Sequence, residues 1–543
     1  MAVQLESLVP DDVEPGGDGV VLTRLANRLV NRIPMLCRLK TFYDGKETVP
    51  TKAVPRNMDV TSSDIYRRFV DICPMNLAST IANAVITSEK PTGFRLVSDK
   101  AIRSTAADDM WQKSGMNLKS LNMLRDASIY GAAYAQAWST PNPAYISRLS
   151  PWDTVVSDDK SAAIVYSYDA DEGTENIALY RLVRDDKGNV TDVYGRVARR
   201  EVESRTLPTD SPDYEDAVYE LANDDSKKKP LLPALFEWVG AASSDGLDFA
   251  RDCGCLPIVQ LKTATGRGQF EPHLPTLSAI DQQRFQRFCI QEMQAFKQRW
   301  VSGDLPEYYT KQDPAVKANR ARAGEKIDYS SLFELGPAAL WLMPKDAKMG
   351  ESSVTDITPI VSAANTDIKQ LAGASGTPLS ILSPDVSGSA EGAKLTTRML
   401  RLKVQDMNER ANDAFVLLLR MALVASGQQS AADERFETMW QPVETPTDLE
   451  QAQAANYVKG LLPVKTIMRR FLNMSEMDIA EAMQDLQDTA FATALSQENT
   501  LVEGKTSQQS APTLQDTLDS TSTILDLNDV LGDETLDSSN EVT

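Results

Sequence analysis

The sequence predicts a mixed α/β protein dominated by helices, and three observations lead there. Apolar residues recur at helical spacing over 276–301 and again over 353–426, where a turn-rich loop separates two helices. Residues 155–235 instead alternate apolar and polar, as in Ile164-Val165-Tyr166-Ser167-Tyr168. Turns such as Asp186-Lys187-Gly188-Asn189 punctuate them, which is the pattern of a twisted antiparallel sheet. At 543 residues the chain can bury several cores and divide into more than one region.

Taken in order, residues 1–20 are acidic and carry Gly and Pro, so they read as a flexible lead-in unlike a basic-then-apolar signal peptide. Leu22, Leu25, Leu29, Ile33 and Leu36 form an amphipathic helix that ends at Phe42-Tyr43-Asp44-Gly45, a good turn. A second helix is expected over 65–88, with Asn76 inside it. Asp108, Trp111, Asn117, Leu118, Leu124 and Ala127 then lead into Tyr130-Gly131 and a strand through Ala133 and Tyr134. A further strand runs through Tyr145 to Ser150-Pro151. Residues 201–229 are charge-dense and read as a solvated excursion, and Gly266-Arg267-Gly268 reads as a hinge.

The helix over 276–301 carries Leu277, Ile280, Phe285, Phe288, Met293, Phe296 and Trp300 on its apolar face. Residues 302–352 are rich in Pro and Gly and locally basic, with Lys311, Lys317, Arg320, Arg322 and Lys326 against Asp313 and Glu325. Such a cluster is either a solvated loop or a partner surface. Thr358-Pro359 starts the next helix, because proline's missing N–H costs nothing at the first helical position. Ile357, Val361, Ala364, Ile368 and Leu371 face one way, and Gly373 and Gly376-Thr377-Pro378 end the run. After the loop 377–388, helical spacing resumes over 389–425. Beyond Trp440-Gln441-Pro442, two helices are expected over 449–459 and 464–472 and a third over 474–495.

Composition excludes several function classes. No run of 18 apolar residues occurs, so no transmembrane helix is expected. The five cysteines are too sparse for a disulfide framework and suit a reducing compartment. Net charge is −21, and residues 498–543 hold ten acids against Lys505. Disorder is the expectation for that tail. A chain of this balance does not grip DNA non-specifically, which takes Lys and Arg to displace counterions, although it can surround DNA. Gly388-Ser-Ala-Glu-Gly392-Ala-Lys394 has three residues between its glycines, and Ala stands before Lys, so it is not a phosphate loop. Cys253-Gly-Cys255 lacks a second pair, and His273 is the single histidine. No Gly-Xaa-Ser-Xaa-Gly accompanies that histidine, so no catalytic residue, cofactor or metal ligand is expected.

Ser389-Ala390-Glu391 opens a long helix after Thr377-Pro378-Leu379. Tyr43-Asp44-Gly45 closes the first helix, and Trp111…Asn117-Leu118 runs into Tyr130-Gly131-Ala132-Ala133-Tyr134. With Ser150-Pro151 and Trp440-Gln441-Pro442, these features resemble the portal proteins of tailed bacteriophages, the siphophage family typified by Bacillus and actinobacterial phages. The resemblance covers about residues 22–494 and rests on patterns without catalytic residues. It implies a portal fold: a flexible N-terminus (1–20), an α/β wing (21–275), stem helix 1 (276–302), a clip (303–352) and stem helix 2 (353–376). A tunnel loop (377–392), a long wing helix (393–426), a helical crown (427–497) and the acidic tail (498–543) complete it.

The resemblance further implies a ring, usually twelve-fold, at one capsid vertex of the virion, assembled in the host cytoplasm. Through it double-stranded DNA is packaged and ejected. The partners implied are the terminase large subunit, the head–tail adaptor, and the major capsid and scaffolding proteins, with no membrane. Leu382, Ser383, Asp385, Val386, Ser387 and Ser389 would face the DNA. Lys311, Lys317, Arg320, Arg322 and Lys326 would form the clip's partner surface, and Phe285, Phe288, Phe296 and Ile368 the contacts between subunits. A structural adaptor or scaffold protein of a viral head, without a channel, is the alternative reading.

Overall fold

Leucine and isoleucine at three- and four-residue spacing drive the first helix, α1 (Asp18–Tyr43), whose Leu22, Leu25, Leu29, Ile33 and Leu36 are buried. The computed structural model describes residues 6–10, 14–47, 60–97, 103–139, 144–224, 235–295, 299–303, 306–328, 348–351, 353, 355–383, 390–441, 448–472, 474 and 478–490. The segment before α1 is not a free lead-in throughout. Leu8 and Val9 are buried, the Leu8 amide donates to Thr23 Oγ1 at 3.1 Å, and the Phe236 amide donates to the Leu8 carbonyl at 2.7 Å. Two apolar side chains there outweigh the acidic flanks.

The expected single helix over 65–88 is two, α2 (Val60–Ile72) and α3 (Leu77–Ile86). Pro74 removes a donor and Asn76 is left-handed at φ 54°, so the chain turns between them. Residues 66–86 are long and apolar enough to cross a membrane, which the sequence reading did not expect; half of that stretch is buried within the protein. Core helices commonly pass the same test.

β1 (Pro91–Leu96) precedes α4 (Thr105–Lys113), capped by Ser104, and α5 (Met116–Tyr130). β2 (Ala132–Trp138) and β3 (Tyr145–Leu149) follow. Next come β4 (Thr154–Val156), β5 (Ala162–Asp169), β6 (Thr174–Arg184) and β7 (Val190–Glu201). After α6 (Glu215–Asn223) and β8 (Glu237–Ser243), β4 to β8 form one antiparallel sheet in sequence order, the meander that the alternation predicts. Within the charge-dense excursion α6 is ordered, with Val218 and Leu221 buried as it packs on α1. Helical spacing of two apolar residues was the signal that charge density masked.

α7 (Asp248–Asp252) leads to β9 (Ile258–Lys262), which pairs antiparallel with β2, so that sheet runs β3-β2-β9. α8 (Leu274–Ala295), β10 (Arg299–Ser302), α9 (Pro314–Lys317) and β11 (Lys348–Glu351) follow. Residues 299–302 are thus strand rather than the last turn of a helix. α10 (Thr358–Ser375), α11 (Leu379–Leu382), the 36-residue α12 (Ala390–Ala425) and β12 (Phe436–Trp440) complete this unit, and β12 pairs antiparallel with β1.

Two cores result. One gathers α1, α3, α6, the β4–β7 face, the start of α8 and Leu371 of α10. The other wraps α4, α5, β2 and β9 around Met407, Phe415, Leu418 and Leu419 of α12. The fold is therefore mixed α/β and helix-dominated. Residues 444–543 are a separate unit, in which α13 (Asp448–Tyr457), α14 (Val464–Arg470) and a helical stretch over 478–490 are described. The tail 498–543 lies outside the described residues.

The glycines of 266–268 do not make a free hinge. Gly268 lies against α5, where an added Cβ would sit 2.0 Å from the Ile129 carbonyl oxygen, and the Gln269 amide donates to the Ser128 carbonyl at 2.7 Å. Backbone cannot yield to such a clash. Gly268→Ala should therefore destabilise the protein by on the order of 2 kcal/mol or more, read by urea unfolding. An unchanged midpoint would mean that the two segments separate freely.

Candidate functional site

α8 and α10 lie some sixty residues apart in sequence yet pack side by side. Gln283 Nε2 donates to Asp367 Oδ2 at 2.7 Å, and Gln294 Nε2 to the Thr355 carbonyl at 2.5 Å. Moving eleven residues forward on one strand of chain matches twelve residues back on the other, so the two run antiparallel for roughly 16 Å. At the end of the pair, β10 and β11 form an antiparallel ribbon with Arg299 opposite Glu351 and Ser302 opposite Lys348.

That ribbon carries the basic segment. Residues 307–327 fold back on themselves: the Tyr309 amide donates to the Glu325 carbonyl at 2.9 Å and the Ile327 amide to the Glu307 carbonyl at 2.9 Å. The acids are occupied locally. Asp313 accepts from the Thr310 amide at 2.5 Å and its hydroxyl at 3.0 Å, and Glu325 Oε2 accepts from the Arg322 amide at 2.8 Å. Lys311, Lys317, Arg320, Arg322 and Lys326 are all exposed, and none forms an ion pair among the described residues. The structure thus brings the five predicted cations onto one small ordered loop.

The loop after α10 begins differently from expectation. Gly376, left-handed at φ 65°, ends α10 as glycine permits, and α11 forms at once. Leu382, expected to face DNA, is instead 7% exposed and part of the first core, with Leu379 packed beside it. An apolar root seeks the interior before anything projects from it. Ser383 is half-buried, its amide bonded to the Leu379 carbonyl at 2.7 Å. Asp385, Val386, Ser387 and Ser389 lie outside the described residues.

The residues expected between subunits are also partly accounted for within the chain. Phe285 is buried and Phe288 half-buried beneath α2, where Tyr66, Phe69 and Val70 meet them. Tyr66 and Phe285 ring centroids lie 6.3 Å apart and those of Phe69 and Phe288 5.9 Å. Ile368 is buried in the first core. Phe296 lies outside the described residues. Sequence reading missed α2 as a cover because the merged helix over 65–88 hid its separate direction.

Above this aromatic cluster, Glu47 and Asp281 join three segments around a cavity of about 10 Å³, room for about one water, lined also by Phe42, Gly45, Leu77 and Leu277. Glu47 accepts from the Ser278 hydroxyl while its other oxygen is buried without a partner. Asp281 accepts from the Met75 amide at 2.9 Å, and Arg284 donates to the Pro74 carbonyl at 3.2 Å. Burial pushes Glu47 up to about 8, with Asp281 adding to it and the Ser278 bond and Arg38 opposing. Burial likewise raises Asp281 to about 6.

Other candidate chemistry does not assemble. Among the described residues no group of three or more His, Cys, Asp or Glu side chains converges. Cys255 Sγ lies 3.4 Å from Met421 Sδ, and burial pushes the Cys255 thiol up to about 12. His273 sits in the turn before α8, held below its ordinary value by burial and by Lys403. No protein-family model matches the sequence, and no curated protein matches it.

Glu47 supplies a pH dependence with a definite sign. Its folded pKa lies above its unfolded one, so its contribution is full below about pH 4.5 and is lost as pH rises through about 8. Urea unfolding should show the parent losing on the order of 2 kcal/mol between about pH 5 and about pH 9, solvent screening included. Glu47→Gln should make the loss over that interval smaller, leaving the part that Asp281 and the other buried carboxyls contribute. A variant with the parent's slope would remove Glu47 as its source.

Proposed function

We propose that the chain is the subunit of a portal, a ring at one capsid vertex through which double-stranded DNA is packaged and ejected. The observation that supports this most is the order of elements around the paired helices. α8 rises to a ribbon bearing an ordered basic loop, α10 returns antiparallel beside it, and a buried root leads on to the 36-residue α12. The sequence resemblance implies a series of stem, clip, stem, loop and long helix, and this order of elements supports that reading. In this reading residues 377–392 are the tunnel loop, anchored by Leu379 and Leu382 and meeting DNA with Ser383 and the residues after it.

The five exposed cations would be the clip's contact with the terminase large subunit during packaging and with the head–tail adaptor afterwards. Over residues 307–327 these cations outnumber the acids Glu307, Asp313 and Glu325, so the loop's net charge is positive. The protein's net charge of −21 suits a conduit, since like charge beside DNA creates no binding wells. The capsid and scaffolding proteins would meet the α/β wing. No chemistry is required of the chain itself, because the motor supplies the work.

A structural adaptor without a channel is the second reading, and one observation favours it. Phe285 and Ile368, expected to await neighbouring subunits, are already covered within the chain. That leaves a smaller apolar face for a ring to bury.

Reversing the clip charge tests the first reading. Lys311→Glu, Arg320→Glu and Arg322→Glu together touch only exposed side chains, so stability and self-association should stay within about 0.5 kcal/mol of the parent. In an infection supplied with the variant, heads should form yet contain little DNA. Packaging at the parent level would show that this loop is not where the motor docks.

A further inference from the structure

The turn after α3 holds an anomaly. Glu89 is 1% exposed, and neither of its carboxylate oxygens has a hydrogen-bond partner. Buried carboxylates are ordinarily paired or hydrogen-bonded, so an orphaned one calls for a physical account. The cation that faces it is Lys403 of α12, itself half-buried. Lys403 is engaged elsewhere: its Nζ donates to the Ser375 carbonyl at 3.0 Å, in the last turn of α10. Carbonyls at a helix C-terminus lack intrahelical partners and carry partial negative charge, so a lysine is well placed there. Next to that turn, Thr377 is also buried with its hydroxyl unpartnered.

We propose that Lys403 is a two-position latch, holding the Ser375 carbonyl in this state and swinging to the Glu89 carboxylate in a second state that releases the end of α10. The flexible four-carbon stem of lysine lets one ammonium serve two anchors. Each position leaves one acceptor short, either Glu89 or the last turn of α10. The charged groups that act on one another here are Glu89, Lys403 and, through Lys403, His273 from the turn before α8.

The exchange releases one proton. In the state seen, burial holds Glu89 well above its usual range, which favours the protonated acid, while Lys403 is pushed down to about 8 by burial, with Glu89 opposing. Pairing requires the Glu89 proton to leave for solvent and yields a carboxylate beside an ammonium. Rising pH therefore favours the second position. Above about 8 the first position loses the Lys403 proton instead, both positions then hold equal numbers of protons, and the dependence levels off.

The latch does not rest on the portal reading and is tested on the isolated protein. Amide hydrogen exchange is followed at Gly376 and Thr377, whose amides bond to Gly373 and Ala372, and corrected for the intrinsic pH dependence of exchange. Between about pH 6 and about pH 8, protection there should fall by up to about tenfold per pH unit, while α1 stays unchanged. Glu89→Gln, nearly isosteric and unable to ionise, should keep Lys403 on Ser375, with protection high and independent of pH. Lys403→Met should lower protection at every pH and remove the slope. If Lys403→Met does not fold, Glu89→Gln decides alone. A flat parent profile, or a Glu89→Gln variant with the parent's slope, would overturn the proposal.

Discussion

The side-by-side, antiparallel packing of α8 and α10 is the constraint on which the rest of the larger unit depends. Two helices separated by some sixty residues can lie so only if the intervening chain leaves and returns at the same end, and the β10–β11 ribbon provides that. Once the pair is fixed, the start of α8 joins the first core through Leu274, Leu277 and Ile280, and α10 joins it through Ile368 and Leu371. The root of the following loop then has one place to go, and Leu379 and Leu382 take it. α12 is released from that root to carry its second half into the other core.

Polar groups concentrate at the joints of this arrangement. Glu47 and Asp281 tie the end of α1 and the break between α2 and α3 to α8, both with carboxyls raised by burial. In the five-stranded sheet, Glu175 is fully buried yet accepts from Tyr166, Arg200 and Thr206, and hydrogen bonding holds its pKa down against burial. The contrast is instructive. A complete set of donors stabilises a buried charge, whereas Glu89 has no hydrogen-bond partner and burial raises its pKa.

Much of the fold was legible in the sequence because its signals are local. Leu22 to Leu36 at helical spacing, the alternation over 155–183 and the Thr358-Pro359 start each act within a few residues. What escaped depended on contacts distant in sequence or on a single backbone angle. The break at Asn76 takes one left-handed residue, and no periodicity reports it. Leu382 was assigned outward from its place in a loop, and only the packing of α11 on the first core turns it inward. Gly268 was read as freedom, whereas its lack of a side chain serves close approach to Ile129. Of the candidate site, the five cations were visible as composition. That their acidic neighbours are spent on backbone amides was not.

If copies of this chain close around a hole, as we propose, an end-on image shows it most directly. Negative-stain particles of the purified full-length protein should average to rings with an axial opening wide enough for duplex DNA. Particles that are monomers, or closed assemblies without an axial opening, would contradict the portal reading and favour the adaptor.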